Sequence, residues 1–227
     1  IVLCDSLYSH IDGYMAIRGR SMKTLAILSQ KGGSGKTTIA VHMAVCAIRQ
    51  GYHTAIIDID PQGSAFDWYL SRAAQNELNA VQAQAGQLTA LLKQAKVGGA
   101  DFVIIDTAPH SDSAAAVAAQ HADFILMPCR PSRFDLKAIG STATIARLAK
   151  TPSAAIINAA PRGKLAEEAR EALQLQGIDV VPPVLQQRAA YTHAVIDGRS
   201  VHEYEPEGKA AAEIDELFAC LKGILKL

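Results

Sequence analysis

The chain has 227 residues, 49% of them hydrophobic and 19% charged, with no net formal charge. That length and apolar content suit one large domain with a real core and exclude a disordered chain. The balanced charge offers no global basic field for nucleic acid, the 5% aromatic content argues against a stacking platform for single strands, and no apolar run reaches the roughly 18 residues of a membrane span. The four cysteines, Cys4, Cys46, Cys129 and Cys220, are far apart and show no metal-ligand spacing, which reads as reduced thiols in a cytosolic protein.

Residues 1–21 have no clear period and no signal-peptide organisation. At Met22 the character changes to an apolar run and a glycine loop, so the core is expected over 22–227 and the first 21 residues are expected to stand outside it. The other reading of 1–21 is an arm that packs on a partner.

Beyond Met22, short apolar runs alternate with longer helical patterns. Strands are expected at Thr24–Leu28, Thr54–Ile57, Phe102–Ile105, Phe124–Met127, Ala154–Ile157 and Val180–Val181. Most are apolar at successive positions, as strands covered on both faces of a parallel sheet are. Helices are expected over about 36–50, 64–74, 84–95, 112–121, 135–149, 164–176 and 207–223. The β-α alternation predicts an α/β fold, a doubly wound and mostly parallel sheet flanked by helices. The Ala- and Gln-rich stretch 73–100 is the least defined part.

The first strand runs into Lys31-Gly-Gly-Ser-Gly-Lys-Thr-Thr38, and a helix follows. Gly32, Gly33 and Gly35 let the backbone turn tightly and aim its N–H groups inward, beside the positive end of the helix. Gly32 through Thr38, with Ser34 and Thr38 included, forms a phosphate-binding loop. Lys36 is placed for the β- and γ-phosphates and Thr37 for Mg²⁺. Lys31 precedes the glycines, so it stands at the mouth of the loop.

Two further strand ends carry acids, in Asp58-Ile-Asp60-Pro61-Gln62 and Asp106-Thr-Ala-Pro109. In a parallel sheet such ends converge on the ligand crevice. Asp106, behind an apolar strand, fits the Mg²⁺ shell, and Asp58 can serve as a turn former before Pro61. Asp112 is expected to cap the following helix, with a phosphate-sensing loop as the other reading. The C-terminal stretch carries Ile214, Leu217, Leu221 and Ile224 on one helical face and is expected to pack on the sheet. Its acids Glu213, Asp215 and Glu216 would repel anionic lipid, so no stable membrane association is expected. Between Arg130 and Lys164 there are seven basic residues and one acid, Asp135, which is either a DNA-facing patch or a solvated surface.

The KGGSGKTT loop resembles the deviant Walker A motif of the ParA/MinD family of ATPases. DIDPQ resembles that family's second signature, and the segments Met127–Asp135 and Gln187–Gly198 resemble small ParF-type partition ATPases. The resemblance implies ATP and Mg²⁺ as ligands and an ATP-dependent homodimer in which Lys31 reaches the partner's nucleotide. It implies that Asp60 orients the attacking water, that Asp58 supports the metal shell or switch and that Asn158 contacts adenine, the other reading of Asn158 being an Asn in a turn. It further implies non-specific DNA binding on the nucleoid, a centromere-bound ParB-type adaptor that stimulates weak hydrolysis, and a role in plasmid or chromosome partition. The alternative within the family is a MinD-like positioning ATPase anchored to membrane by its C-terminal helix.

Overall fold

The computed structural model describes residues 21–73 and 78–227. The expected leader therefore lies outside the described residues, apart from Ser21. Seven strands form one parallel sheet: β1 (Lys23–Ile27), β2 (Thr54–Asp58), β3 (Leu78–Gln82), β4 (Phe102–Asp106), β5 (Phe124–Cys129), β6 (Ser153–Ala160) and β7 (Val180–Gln186). Their order across the sheet is β3-β2-β4-β1-β5-β6-β7, with every pairing parallel. The helices are α1 (Lys36–Arg49), α2 (Ser64–Leu70), α3 (Leu88–Val97), α4 (Asp112–His121), α5 (Arg133–Ala149), α6 (Leu165–Leu175), α7 (Ala189–Ile196), α8 (Val201–Tyr204) and α9 (Lys209–Leu225).

Alternate side chains along each central strand enter two separate cores. Leu25 and Ile27 of β1 pack with Ile39 and Met43 of α1 and with Phe218 of α9 on one face. Ala26 of β1 packs with Leu88 of α3 and Ile139 of α5 on the other. A sheet covered on both faces needs strands apolar at successive positions, which is the pattern the sequence carries.

Four details differ from the sequence expectations. β3 falls inside the poorly defined Ala/Gln-rich stretch; as an edge strand with only Leu78 buried, it carries little apolar pattern. α7 and α8 form in a segment where no helix was expected. Asp112 does not cap α4: it is the helix's first residue, and Ser111 at the cap position makes no side-chain capping bond. α9 does pack inward, but its buried face ends on Leu225 while Ile224 is exposed. Glu213 also faces inward, accepting from Arg188, from the Tyr191 hydroxyl at 3.0 Å and from the backbone N–H of Gln186 at 3.1 Å.

Candidate functional site

The site lies at the C-terminal edge of β2, β4 and β1, which are neighbours in the sheet. Asp58, Asp106 and Ile27 are register partners there, so two carboxylates and the start of the loop arrive together. Gly33 and Gly35 have positive φ, 72° and 96°, in the region that L side chains avoid. Gly35 is constrained twice, because the Asn158 side chain occupies the space a Cβ would take. Asn158 reaches the loop from β6 and donates its Nδ2 to the Ser34 carbonyl at 2.6 Å. The neighbouring Ala159 has φ 49°, at an irregularity in the β6–β7 pairing. That bulge re-aims the strand end beside the loop.

Lys36 is 6% exposed, and its Nζ donates to the Ser29 carbonyl at 3.3 Å. Burial lowers its pKa, opposed by the charges of Asp106 and then Asp60. The Thr37 hydroxyl donates to Asp106 Oδ2 at 2.6 Å. Asp106 is fully buried, and burial pushes its pKa up to about 7, with the Asp58 charge adding to the rise. The Thr37 bond and the Lys36 charge pull the other way.

Asp58 is also fully buried. Its Oδ1 accepts the Asp60 N–H at 3.0 Å, and its Oδ2 accepts the N–H groups of Ala65 and Phe66 at 2.9 and 3.1 Å. Burial raises its pKa, with these backbone bonds offsetting part of the rise. The cap position of α2 is Gly63, φ 65°, which has no side chain, so Asp58 supplies one oxygen, Oδ2, to the N–H groups of Ala65 and Phe66 from the preceding strand. Asp58 thereby ties β2, the Asp60 turn and α2 into one unit. Asp60 Oδ1 accepts the Gln62 N–H at 2.9 Å, closing the turn.

Lys31 stands apart from the cradle. Its Nζ lies 2.9 Å from Asp135 Oδ2 at the start of α5 and 5.8 Å from the centre of the Phe134 ring, and its side chain is 36% exposed. The Ser132 hydroxyl holds the same carboxylate oxygen. Sequence reasoning did not single out Asp135 or Ser29 as site residues, because they come to the loop only through the fold. Gln82 of β3 is a third addition: its Nε2 donates to the Pro61 carbonyl at 3.2 Å and packs against Gly63.

These residues fit an anionic polyphosphate with a divalent cation. Positive-φ glycines turn the backbone tightly at the start of α1, whose first N–H groups suit an anion, and a buried lysine supplies charge. A hydroxyl and a carboxylate meet beside them, and the buried Ser34 Oγ has no partner among the described residues.

Residues 25–201 match the family described as the CobQ/CobB/MinD/ParA nucleotide binding domain. Similar proteins include the maintenance of carboxysome distribution protein A of Halothiobacillus neapolitanus, 30% identical over 84% of this chain and 91% of that protein. Its counterpart in Gloeobacter kilaueensis is 32% identical over 85% and 90%. Protein ParA of Rhizobium radiobacter is 26% identical over 90% and 97%. Among solved structures, MinD of Pyrococcus horikoshii, complexed with Mg-ADP, superposes with a TM-score of 0.73 at 17% identity, covering 90% of this chain and 97% of that one. An ATP complex of a McdA variant from Cyanothece gives 0.71 at 20% identity, covering 92% and 98%. With the loop, the two converging carboxylates and the parallel sheet all in place, the chain belongs to the CobQ/CobB/MinD/ParA family of nucleotide-binding domains.

Proposed function

We propose that the protein is a ParA-type ATPase that binds Mg-ATP, closes into a sandwich homodimer, binds DNA without sequence preference and is reset by partner-stimulated hydrolysis. The observation that carries this reading is the division between two lysines of one loop. Lys36 is buried in its own cradle, whereas Lys31 projects from the loop mouth and is held by Asp135 of the same chain. A cation outside its own phosphate cradle is placed to neutralise charge on a second nucleotide brought up by another subunit.

In this reading the N–H groups of Gly32 through Thr38 and the Lys36 ammonium bind the phosphates, and Thr37 and Asp106 hold Mg²⁺. Magnesium, when bound, neutralises charge on the phosphate oxygens. Asp60 orients the attacking water, and Asp58 holds the Asp60 turn and α2 in position through its three backbone bonds. Asn158 braces the loop from β6, and its amide is available to an adenine edge once nucleotide enters. Lys31 exchanges Asp135 for the partner's phosphates on closure. The basic residues of 130–164 contact DNA phosphates.

We read the cargo as a replicon bound by a ParB-type adaptor. A second reading, favoured by the two relatives at 30% and 32% identity, makes the cargo a protein compartment. A MinD-like membrane anchor is disfavoured, because Ile214, Leu217, Leu221 and Leu225 of α9 are committed to the core. Light scattering and DNA retardation, each with ATP, ADP or no nucleotide, test the proposal. An ATP-specific dimer that retards DNA and releases it steeply with salt is expected. A monomer that ignores ATP overturns it.

A further inference from the structure

Away from the phosphate loop, three helices bring together a second set of donor atoms. Cys46 comes from α1, His202 from α8 and Asp215 from α9. Cys46 Sγ lies 3.3 Å from Asp215 Oδ1, and His202 Nε2 lies 2.9 Å from the same oxygen. The three donor atoms all lie within 4.8 Å of one another. Cys46 is 1% and His202 3% exposed, whereas Asp215 is exposed. The set is thus walled by protein on the sulfur and imidazole side and open to water at the carboxylate.

We propose that Cys46, His202 and Asp215 form a binding site for one zinc ion, with water as the fourth ligand. One sulfur, one imidazole nitrogen and one carboxylate oxygen suit zinc, whereas Mg²⁺ and Ca²⁺ select sets of oxygens. Zinc bonds of about 2.0–2.3 Å place ligand atoms about 3.3–3.7 Å apart at the corners of a tetrahedron. The two edges that meet at Asp215 Oδ1, 3.3 and 2.9 Å, reach that span with shifts of a few tenths of an ångström, roughly, on the exposed Asp215 side, while the Cys46–His202 edge, bounded at 4.8 Å, closes by up to about 1 Å through movement of those two side chains.

Two further features bear on the site. His202 Nδ1 is buried with no hydrogen-bond partner among the described residues; without metal the ring proton sits on Nε2 facing Asp215, and on binding it moves to Nδ1 while Nε2 offers its lone pair. His42 Nδ1 accepts the Val201 N–H at 3.3 Å and so fixes the start of α8, where His202 sits. Burial holds His42 neutral, with a pKa near 3, so it adds no opposing positive charge at neutral pH. Without metal, burial and then Asp215 hold the Cys46 thiol above its ordinary pKa. On binding, the Cys46 S–H bond breaks, a sulfur–zinc bond forms and the proton leaves to solvent. The ion would staple α9 and α8 to α1, the helix that begins at the phosphate loop.

Cobalt titration of the metal-free full chain tests this, with excess Mg²⁺ present to occupy the Thr37–Asp106 region. The expected result is one Co²⁺ per chain with a near-ultraviolet sulfur-to-cobalt charge-transfer band that Zn²⁺ abolishes. Cys46→Ser should remove the band. Asp215→Asn keeps an acceptor oxygen for Cys46 and His202 while removing the charge, and it should weaken Co²⁺ binding by about tenfold or more. Zinc should raise the melting temperature of the parent and not that of Asp215→Asn. No band in the parent, or a band that survives Cys46→Ser or is unaffected by Asp215→Asn, overturns the proposal.

Discussion

Single side chains at the phosphate loop carry opposing demands. Lys36 gives up hydration to stand in the cradle, and among the described residues Asp106, Asp60 and the Ser29 carbonyl offset that loss before a ligand arrives. Lys36→Ala should therefore fold and yet lose ATP affinity by about 100-fold, the worth of charge-assisted phosphate bonds of roughly 3 kcal/mol. Calorimetry that finds unchanged affinity would remove the loop from its role. Asp106 carries the reverse strain. Its carboxyl is near 4 when unfolded and about 7 when folded, so the folded chain holds a proton that the unfolded chain releases. The stability of the nucleotide-free protein should fall as pH rises from about 4 through 7. Asp106→Asn does not titrate, so its melting temperature relative to the parent should rise from pH 5 to pH 8. A constant difference across that range would show that burial does not raise Asp106. Asp60→Ala spares the glycine cradle, Lys36 and the Thr37–Asp106 pair. Nucleotide binding and dimerisation should survive while turnover falls by roughly 10²–10⁴. Failure to bind ATP would move Asp60 into the binding shell.

Among the elements, α2 and α9 show how helices of one sheet are held by acids from elsewhere. α2 is only seven residues long and begins at a glycine, so Asp58 provides its cap. Arg72, just beyond it, pairs with Glu203 of α8 at 2.7 Å and donates to the Gly198 carbonyl at 2.9 Å. The C-terminal end of α2 is therefore linked to α8. α9 is held by Glu213, which gathers Arg188, Tyr191 and the Gln186 N–H around one inward carboxylate. Its removal takes the acceptor from Arg188 and the Gln186 N–H, both part-buried, and leaves the buried Tyr191 hydroxyl only the Ala210 carbonyl at 3.2 Å, at a cost of about 2 kcal/mol. In a protein of this size Glu213→Ala should lower the melting temperature by about 4–8 °C, and Glu213→Gln by less. An unchanged value would mean that apolar packing alone holds α9.

At the scale of the whole molecule, the proposed function requires one copy to join another. In the single chain Lys31 is neutralised by Asp135, and the ring of Phe134 beside it is exposed. Lys31 contributes nothing to its own cradle, where Lys36 already stands. Under the proposed function, Lys31→Ala should accordingly bind ATP as the parent does while losing the proposed ATP-dependent dimer and, with it, DNA retardation. Light scattering that still shows a full dimer would take Lys31 out of the interface. The net charge of the chain is zero, so DNA binding of any strength must come from the uneven distribution of charge. The stretch 130–164, rich in Arg and Lys, is the segment expected to supply it.

The glycine loop, the strand before it, the helix after it and the two acids at later strand ends were all legible in the sequence. Each is a local pattern: a run of apolar residues buried on both faces, glycines where φ must be positive, a lysine and threonine at the head of a helix. The α/β class followed from the same local alternation. What the tertiary structure decided were contacts between distant residues. Lys31 meets Asp135 across 104 positions, Thr37 meets Asp106 across 69 and Asn158 meets Ser34 across 124. β3 was hidden because an edge strand needs little apolar pattern once β2 supplies its hydrogen bonds. Asp58, read as a metal ligand or a turn former, has both oxygens on backbone N–H groups that only the folded turn brings to it. The physical reason is common to all of these. Apolar periodicity and backbone conformation are properties of neighbours in sequence, whereas the partner of a buried charge is chosen by whichever strand ends the sheet order places side by side.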